Sequence, residues 1–407
     1  MTAGPPCGQD TAAAPAGTAP AAAAPPGFAA VLRYFLKLGS SGFGGPIAVV
    51  GYMQRDLVQQ RGWIARQDFL NGVALGQTMP GPLAAQVAMW AGYLRRGAAG
   101  AAATAAAFII PSFAMVTAVA ALYVHYAGLP VVQSLFYGIA PAVMAVIAIA
   151  AWKLVRLTDG KDRRAWAISA VVFAVTAVTG QEPIYLIIGA GLVMIMLDAR
   201  PAPRLPPDPD GSRPVHGVAA LPLAWAALGT AAASGVLVSL GLFFLKTGAL
   251  VFGSGLAIVP LLRDGVVAQH HWLTQRQFLD AVAMGLITPG PVVITAAFIG
   301  YLVAGLPGAV IATTAIFTPI WLGVVLPGRW FIRHRDNAQV KAFVTGATAA
   351  AGGALSGAVV VLTRQAVTDL PTAAIALVTL GLLLRFKIGE PWIVAAAAAL
   401  GLLLHWP

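Results

Sequence analysis

The sequence predicts an all-α polytopic membrane protein with about 13 transmembrane segments, in two inverted-topology repeats with broken or re-entrant helices. Three observations lead there. Only 10% of the 407 residues are charged and 59% are hydrophobic, with a mean hydropathy of +0.82; a soluble domain carries about 25% charged residues. The stretch Phe35 to Pro82 recurs as Phe244 to Pro291, with 19 of 48 positions identical at an offset of 209. Lys and Arg gather in short clusters between apolar runs, as expected where they set the orientation of a polytopic chain.

The same composition excludes several functions. A net charge of +11 in a soluble protein would suggest nucleic acid, but clusters between apolar runs serve membrane topology instead. Cys7 is the single cysteine, so a disulfide framework, a thiolate metal site and a CxxC redox pair are all ruled out. The six histidines show no metal-binding spacing, and the chain lacks both a phosphate-binding P-loop and a GxSxG nucleophile elbow. No cofactor is expected.

In order along the chain, residues 1–27 are rich in Ala, Pro and Gly and read as a disordered tail. The first repeat covers 28–197, with apolar segments at 28–52, 69–94, 98–126, 131–152, 165–180 and 184–197, and a polar loop at 53–68. Residues 198–217 form a Pro-rich linker. The second repeat covers 218–407 and opens with a run at 218–262 that is long enough for two spans, parted near Ser239–Gly241. Further runs lie at 278–304, 306–328, 342–362, 370–384 and 391–406.

Alternating these segments from a cytoplasmic N-terminus puts Arg95-Arg96, the basic loops 153–164 and 329–341, and Arg385 with Lys387 on the cytoplasmic side. The loop 53–68, Glu182, Arg364 and Asp369 then face the other side, as does the C-terminus. One extra crossing near 218–238 makes the repeats run in opposite directions.

The repeated motifs are breaks. Pro80-Gly81-Pro82 and Pro289-Gly290-Pro291 interrupt apolar segments, removing backbone donors where a continuous helix would need them. Gly42-Phe43-Gly44-Gly45-Pro46 and its looser copy Phe252-Gly253-Ser254-Gly255 supply a second break per repeat. A helix that restarts after a break offers free N–H groups to an anion. Gly and Pro also serve helix packing, but four breaks at matched positions point to a central translocation site. Lys37 and Lys246 match within the repeat, and either snorkel to an interface or supply positive charge to an anion path. Gln77, Thr78, Gln86, Thr288 and Thr295 flank the breaks, and either donate to an oxyanion or recap freed carbonyls. Trp63 and Trp272 read as interface anchors. Acidic side chains are nearly absent from the spans, Asp280 being the clearest, so the substrate class is an anion.

FLKLGSSGFGGP, the RGW segment and QTMPGP, repeated as FLKTGALVFGSG, HHWLTQRQFLD and ITPGPV, resemble the two-domain chromate ion transporters. The resemblance extends from residue 28 to the C-terminus. It implies a multi-pass carrier of the bacterial inner membrane that exports chromate, driven by an ion gradient, and confers chromate resistance. The expected partners are chromate or a sulfate-like oxyanion and the lipid bilayer, with a homodimer an open assembly. Transport of sulfate or another oxyanion, and a passive anion channel, are the alternatives. A membrane enzyme is disfavoured for want of a nucleophile, base or metal set at usable spacing.

Overall fold

The computed structural model describes residues 27–43, 45–126, 130–180, 184–198, 234–251, 255–328, 337–386 and 389–404. The expected N-terminal tail and nearly all of the linker lie outside them. Among the described residues there is no strand, and fourteen α-helices carry the fold. The first repeat contains α1 (Phe28–Ser41), α2 (Gly45–Met53), α3 (Arg66–Thr78), α4 (Leu83–Tyr126), α5 (Pro130–Asp159), α6 (Arg163–Thr179) and α7 (Ile184–Asp198). The second contains α8 (Ser234–Ala249), α9 (Ile258–Arg263), α10 (Gln275–Ile287), α11 (Thr295–Val325), α12 (Ala338–Ala366), α13 (Leu370–Arg385) and α14 (Glu390–Leu404). Among the described residues, four helical stretches are long and apolar enough to cross a membrane: Leu83–Tyr126, Gln133–Asp159, Val292–Val325 and Ala338–Ala366.

Element ends follow local chemistry. Asp162 caps α6 by accepting from the Arg164 N–H, and Gly180 closes it at a φ of 67°, where a side chain would be strained. Thr274 with Gln277, and Asp369 with Thr372, form capping boxes at the starts of α10 and α13. Both α2 and α9 continue into π-helical turns, at Gln54–Gln60 and Asp264–Gln269. The segment expected as a polar loop at 53–68 is therefore helical over much of its length.

The longest helix is not straight. α4 reverses at Arg96 (φ −139°, ψ 26°) and Gly97 (φ 58°, ψ −144°). α11 does the same at Ala304 (φ −146°, ψ 29°) and Gly305 (φ 61°, ψ −153°). The arms before and after the reversal, α4a (83–95) and α4b (98–126), press together where Gly92 meets Gly100. A Cβ at either glycine would overlap the partner's carbonyl oxygen, so only the smallest residue permits this approach. Gly300 and Gly308 repeat the contact between α11a (295–303) and α11b (306–325). These equivalences carry an offset of 208, so the register slips by one residue after Gln86 and Thr295.

α3 lies antiparallel to α4a. Trp90 Nε1 donates to the Asp68 carbonyl at 2.9 Å, Gly72 sits under the Trp90 indole, and Gly76 abuts Leu83 and Gln86. Pro80-Gly81-Pro82 is thus the tip of a helical hairpin. Thirteen residues of α3 rise about 20 Å, short of a hydrocarbon core of about 30 Å. α1 and α2 also fold back, since Tyr34 Oη donates to Asp56 Oδ2 at 3.3 Å and its ring meets Trp63 at 6.4 Å.

This overturns one placement. Arg95 donates to the Trp63 carbonyl at 2.6 Å, and the Arg96 guanidinium lies 4.6 Å from the Phe28 ring centroid. The loop 53–68 therefore shares a face with Arg95-Arg96 and with the start of α1. The segments 28–52 and 69–94 enter and leave on that face instead of crossing. Hydropathy cannot distinguish a crossing from a reversal, because both bury the same apolar residues.

The second repeat enters from the other end of α4b. Tyr123, near its C-terminus, bonds Asp280 of α10; Arg276 donates to the Gln133 carbonyl, and Arg263 to the Gly180 carbonyl at the end of α6. The first repeat's polar turn is at the N-terminal end of α4b and the second's at the C-terminal end, which is the inverted arrangement. α8 runs unbroken through Ser239–Gly241, with no proline to part it there. The separate crossing near 218–238 falls mostly outside the described residues.

Candidate functional site

Two tips meet in the middle of the molecule. Gly81 N–H donates to the Val251 carbonyl at 2.6 Å, and Gly290 N–H donates to the Gly42 carbonyl at 3.4 Å. Gly290 is the repeat counterpart of Gly81, and Val251 of Gly42. Each Pro-Gly-Pro tip therefore reaches across and hydrogen-bonds the entrance of the other repeat's glycine-rich break. Reciprocal contacts of this kind define a pseudo-two-fold relation between the halves.

The tips need glycine. Gly81 stands at φ +139°, with Ile320 Cγ2 at 2.8 Å and Gln86 Nε2 at 3.0 Å from the place a Cβ would take. Gly290 stands at φ +107°, and a Cβ there would overlap Ser112 Oγ. Ser112 and Ile320 are equivalent at offset 208, each one residue after a helix proline, Pro111 or Pro319. α1 and α8 brace these helices at Gly39 against the Phe108 carbonyl and at Gly248 against the Ile316 carbonyl.

The predicted residues divide by role. Pro82 is buried, and Gly255 packs with the Pro82 Cβ at 3.5 Å, so the second break touches the first tip. Pro289 and Pro291 are buried as well, and Pro80 is half-buried. Gln86 is fully buried, and its Nε2 donates to the carbonyls of Met79 and Pro80 at 3.2 and 3.0 Å, recapping groups freed by the break. Its Oε1 is buried without a protein donor. Thr295, at the matching place beside Gly285, bonds the Val292 carbonyl at 2.8 Å. Thr78 and Thr288 return to the carbonyls of Ala74 and Met284, one turn back. Gln77 and Phe43 are exposed. Gly45 opens α2, while Gly44, Phe252, Gly253 and Ser254 lie outside the described residues, as does the side chain of Pro46.

Lys37 and Lys246 both sit on the exposed faces of α1 and α8, opposite the buried Phe35–Leu38 and Phe244–Thr247 sides. Trp63 and Trp272 are half-buried near the polar turns, where Arg61 lies 4.6 Å from the Trp63 ring and His270 stacks on Trp272 at 4.2 Å. These pairings suit side chains at a membrane–water boundary.

Sequence reasoning missed Ser112. Its hydroxyl lies 2.7 Å from the Pro289 carbonyl and 3.2 Å from that of Gly39, fully buried between the repeats. The available signal was a Pro-Ser pair inside the apolar run 98–126, matched by Pro-Ile in the other half once the slip in register is seen.

What the arrangement offers chemically is donors without fixed charge. The first N–H groups of α4a, starting at Leu83, have no intrahelical acceptor, and beside the tips they present the positive end of a helix.

Comparison with known proteins agrees with this architecture. The family model described as Chromate transporter matches residues 29–195 and 238–402, one copy per repeat. A chromate transport protein of Cupriavidus metallidurans is 48% identical over 384 residues, covering 92% of each chain. A probable chromate transport protein of Synechococcus elongatus is 47% identical over 373 residues, covering 91% of this chain and 94% of its own. A chromate transport protein of Pseudomonas aeruginosa is 28% identical over 356 residues, covering 84% and 82%. No solved structure matches. With inverted repeats, crossed tips and a family match to both halves, the chain belongs to the chromate transporter family.

Proposed function

We propose that this protein is a secondary active transporter, not an enzyme, that exports chromate from the cytoplasm and confers chromate resistance. Repeats 28–197 and 218–407 rock against each other around a tetrahedral dianion held at the Pro-Gly-Pro tips by half-helix N-termini. The observation that supports this most is the reciprocal pair of tip contacts, Gly81 to Val251 and Gly290 to Gly42. Two broken-helix ends brought to one place from opposite faces form an anion site that either side can open. Lys37 and Lys246, on exposed helix faces, draw the anion toward the path. The protein sits in a bacterial inner membrane with its N-terminus cytoplasmic and its C-terminus periplasmic. In that orientation the basic groups of the first repeat's turns, the loop 153–164 and Lys341 all lie inside.

The test is chromate uptake into everted vesicles, with and without an uncoupler and excess sulfate. Saturable, uncoupler-sensitive uptake is expected. Lys37→Ala and Gly81→Ala should each abolish tolerance with normal membrane levels; full tolerance in both sinks the assignment. A related reading, carriage of sulfate on the same scaffold, gains from the site's makeup, because helix ends recognise charge and shape without any chromium-specific ligand. Sulfate uptake that chromate does not inhibit would favour it.

A further inference from the structure

The repeats differ at a buried carboxylate on the second hairpin helix. Asp280 stands where the first copy has Asn71, and it is 2% exposed. Tyr123, from the far end of α4b, donates its hydroxyl to Asp280 Oδ2 at 2.8 Å. The tyrosine ring is fixed by edge-to-face contacts with Phe136 and Phe298, both at 5.4 Å. A cavity of about 200 Å³ adjoins the pair, lined in part by Gln133, Arg276 and Gln277, and exposed Arg276 and Thr274 stand at its edge.

The surroundings of Asp280 are sparsely charged. Arg276, one turn earlier on α10, donates to the Gln133 carbonyl at 3.1 Å and makes no ion pair with Asp280. On the packed neighbours, Tyr137 of α5 donates to Asp369 at 2.6 Å, and Arg263 of α9 donates to Gly180 and Gln275. α11 contributes Phe298, with Tyr301 further along toward its reversal, and α14 has no titratable side chain from Pro391 to Leu404. A buried carboxylate with one hydroxyl donor, one neighbouring guanidinium outside any ion pair and a cavity beside it is a group that can exchange a proton with the outside.

Resting on the transporter reading, we propose that Asp280, with Tyr123 as hydrogen-bond partner, is the proton site that couples the second repeat. A proton arriving through the cavity adds to the carboxylate and gives a neutral carboxyl group, and its departure restores the anion. Protonation weakens the Tyr123 bond between α4b and α10. α10 continues from Asp280 to Ile287, a rise of about 10 Å, and the second tip begins directly after it with Thr288 and Pro289. Release at Tyr123 is thereby transmitted to the tip. The positive Arg276 at the edge of the cavity repels a metal cation.

The test compares wild type with Asp280→Asn, Asp280→Glu and Tyr123→Phe in proteoliposomes. Asp280→Asn should lower chromate accumulation driven by an imposed pH gradient about tenfold or more, yet leave chromate–chromate exchange within about twofold. Asp280→Glu should restore part of the driven uptake. Infrared spectroscopy of the purified full chain, without chromate, should show a carboxyl band that titrates in wild type and is absent in Asp280→Asn. Tyr123→Phe should displace the pH midpoint of that band. Undiminished pH-driven accumulation in Asp280→Asn, a sodium gradient replacing the pH gradient, or no titrating band in wild type overturns the proposal. If wild type moves no chromate, the transport reading fails, and the infrared titration still decides the proton site.

Discussion

Gly290→Ala and Ser112→Ala together probe how the second tip is held. At Gly290 the backbone φ of +107° is one that side chains rarely adopt, which costs about 1–3 kcal/mol. A Cβ there also overlaps Ser112 Oγ, whose bond to the Pro289 carbonyl measures 2.7 Å. Displacing that hydroxyl leaves a buried carbonyl unpaired, at about 1–3 kcal/mol. Gly290→Ala alone should therefore destabilise by about 2–6 kcal/mol. Ser112→Ala alone costs only the lost hydrogen bond, again about 1–3 kcal/mol. In the double variant the overlapping hydroxyl is gone and only the Cβ of residue 112 stays close, at 3.1 Å, so Gly290→Ala adds mainly its backbone strain. A double-mutant cycle by thermal unfolding of detergent-purified protein should show the two changes sub-additive by about 1–3 kcal/mol. Additivity within about 0.5 kcal/mol would refute the claim that Ser112 and the second tip share one packing site.

Other predictions follow from the same contacts. Gly92→Ala, which drives a methyl into the Gly100 carbonyl, should reduce folded protein far more than Gly97→Ala, which meets nothing and loses only about 1–2 kcal/mol to its φ of 58°; yields and melting temperatures check this. Gln86→Leu strands the Met79 and Pro80 carbonyls and should cost about 2–4 kcal/mol, read as a lower melting temperature. In a Cys7→Ala background, single cysteines introduced at Gln60 and Arg96 should react with an impermeant thiol reagent from one face and a cysteine at Ala268 from the other; labelling of Gln60 and Arg96 from opposite faces would break the re-entrant assignment.

Much of this is legible in the chain. α3 and α10 have the same length and begin at equivalent residues, Arg66 and Gln275, because the repeat preserves both the polar turn before them and the proline after them. The Pro-Gly-Pro breaks mark the ends of half-helices from sequence alone, because proline and glycine cannot carry the hydrogen-bond ladder onward. Their direction is not legible. Whether the chain passes on or doubles back after Pro82 depends on Gly72 and Gly76 admitting the Trp90 and Gln86 side chains, a contact between helices that no hydropathy window contains. The reversal at Arg96-Gly97 is hidden for the same reason, and it moves the 53–68 turn to the face of Arg95. Ser112 escapes notice because one residue is missing from the second copy after Thr295, so a fixed offset aligns it with the wrong neighbour.

The two tip bonds are related by symmetry but unequal, 2.6 Å at Gly81 and 3.4 Å at Gly290. In a carrier built from inverted repeats, each half takes in one state the shape its twin has in the other. On the proposed carrier reading, this structure also sketches its opposite, in which the short bond belongs to Gly290 and the long one to Gly81. The two states need not weigh the same. A serine hydroxyl from the other repeat holds the Pro289 carbonyl of the second tip, whereas the equivalent Pro80 carbonyl is held by Gln86 of its own repeat and a methyl of Ile320 comes across to the first. The resting balance between inward and outward openings should accordingly be tilted by the protein itself, before any substrate or gradient acts on it.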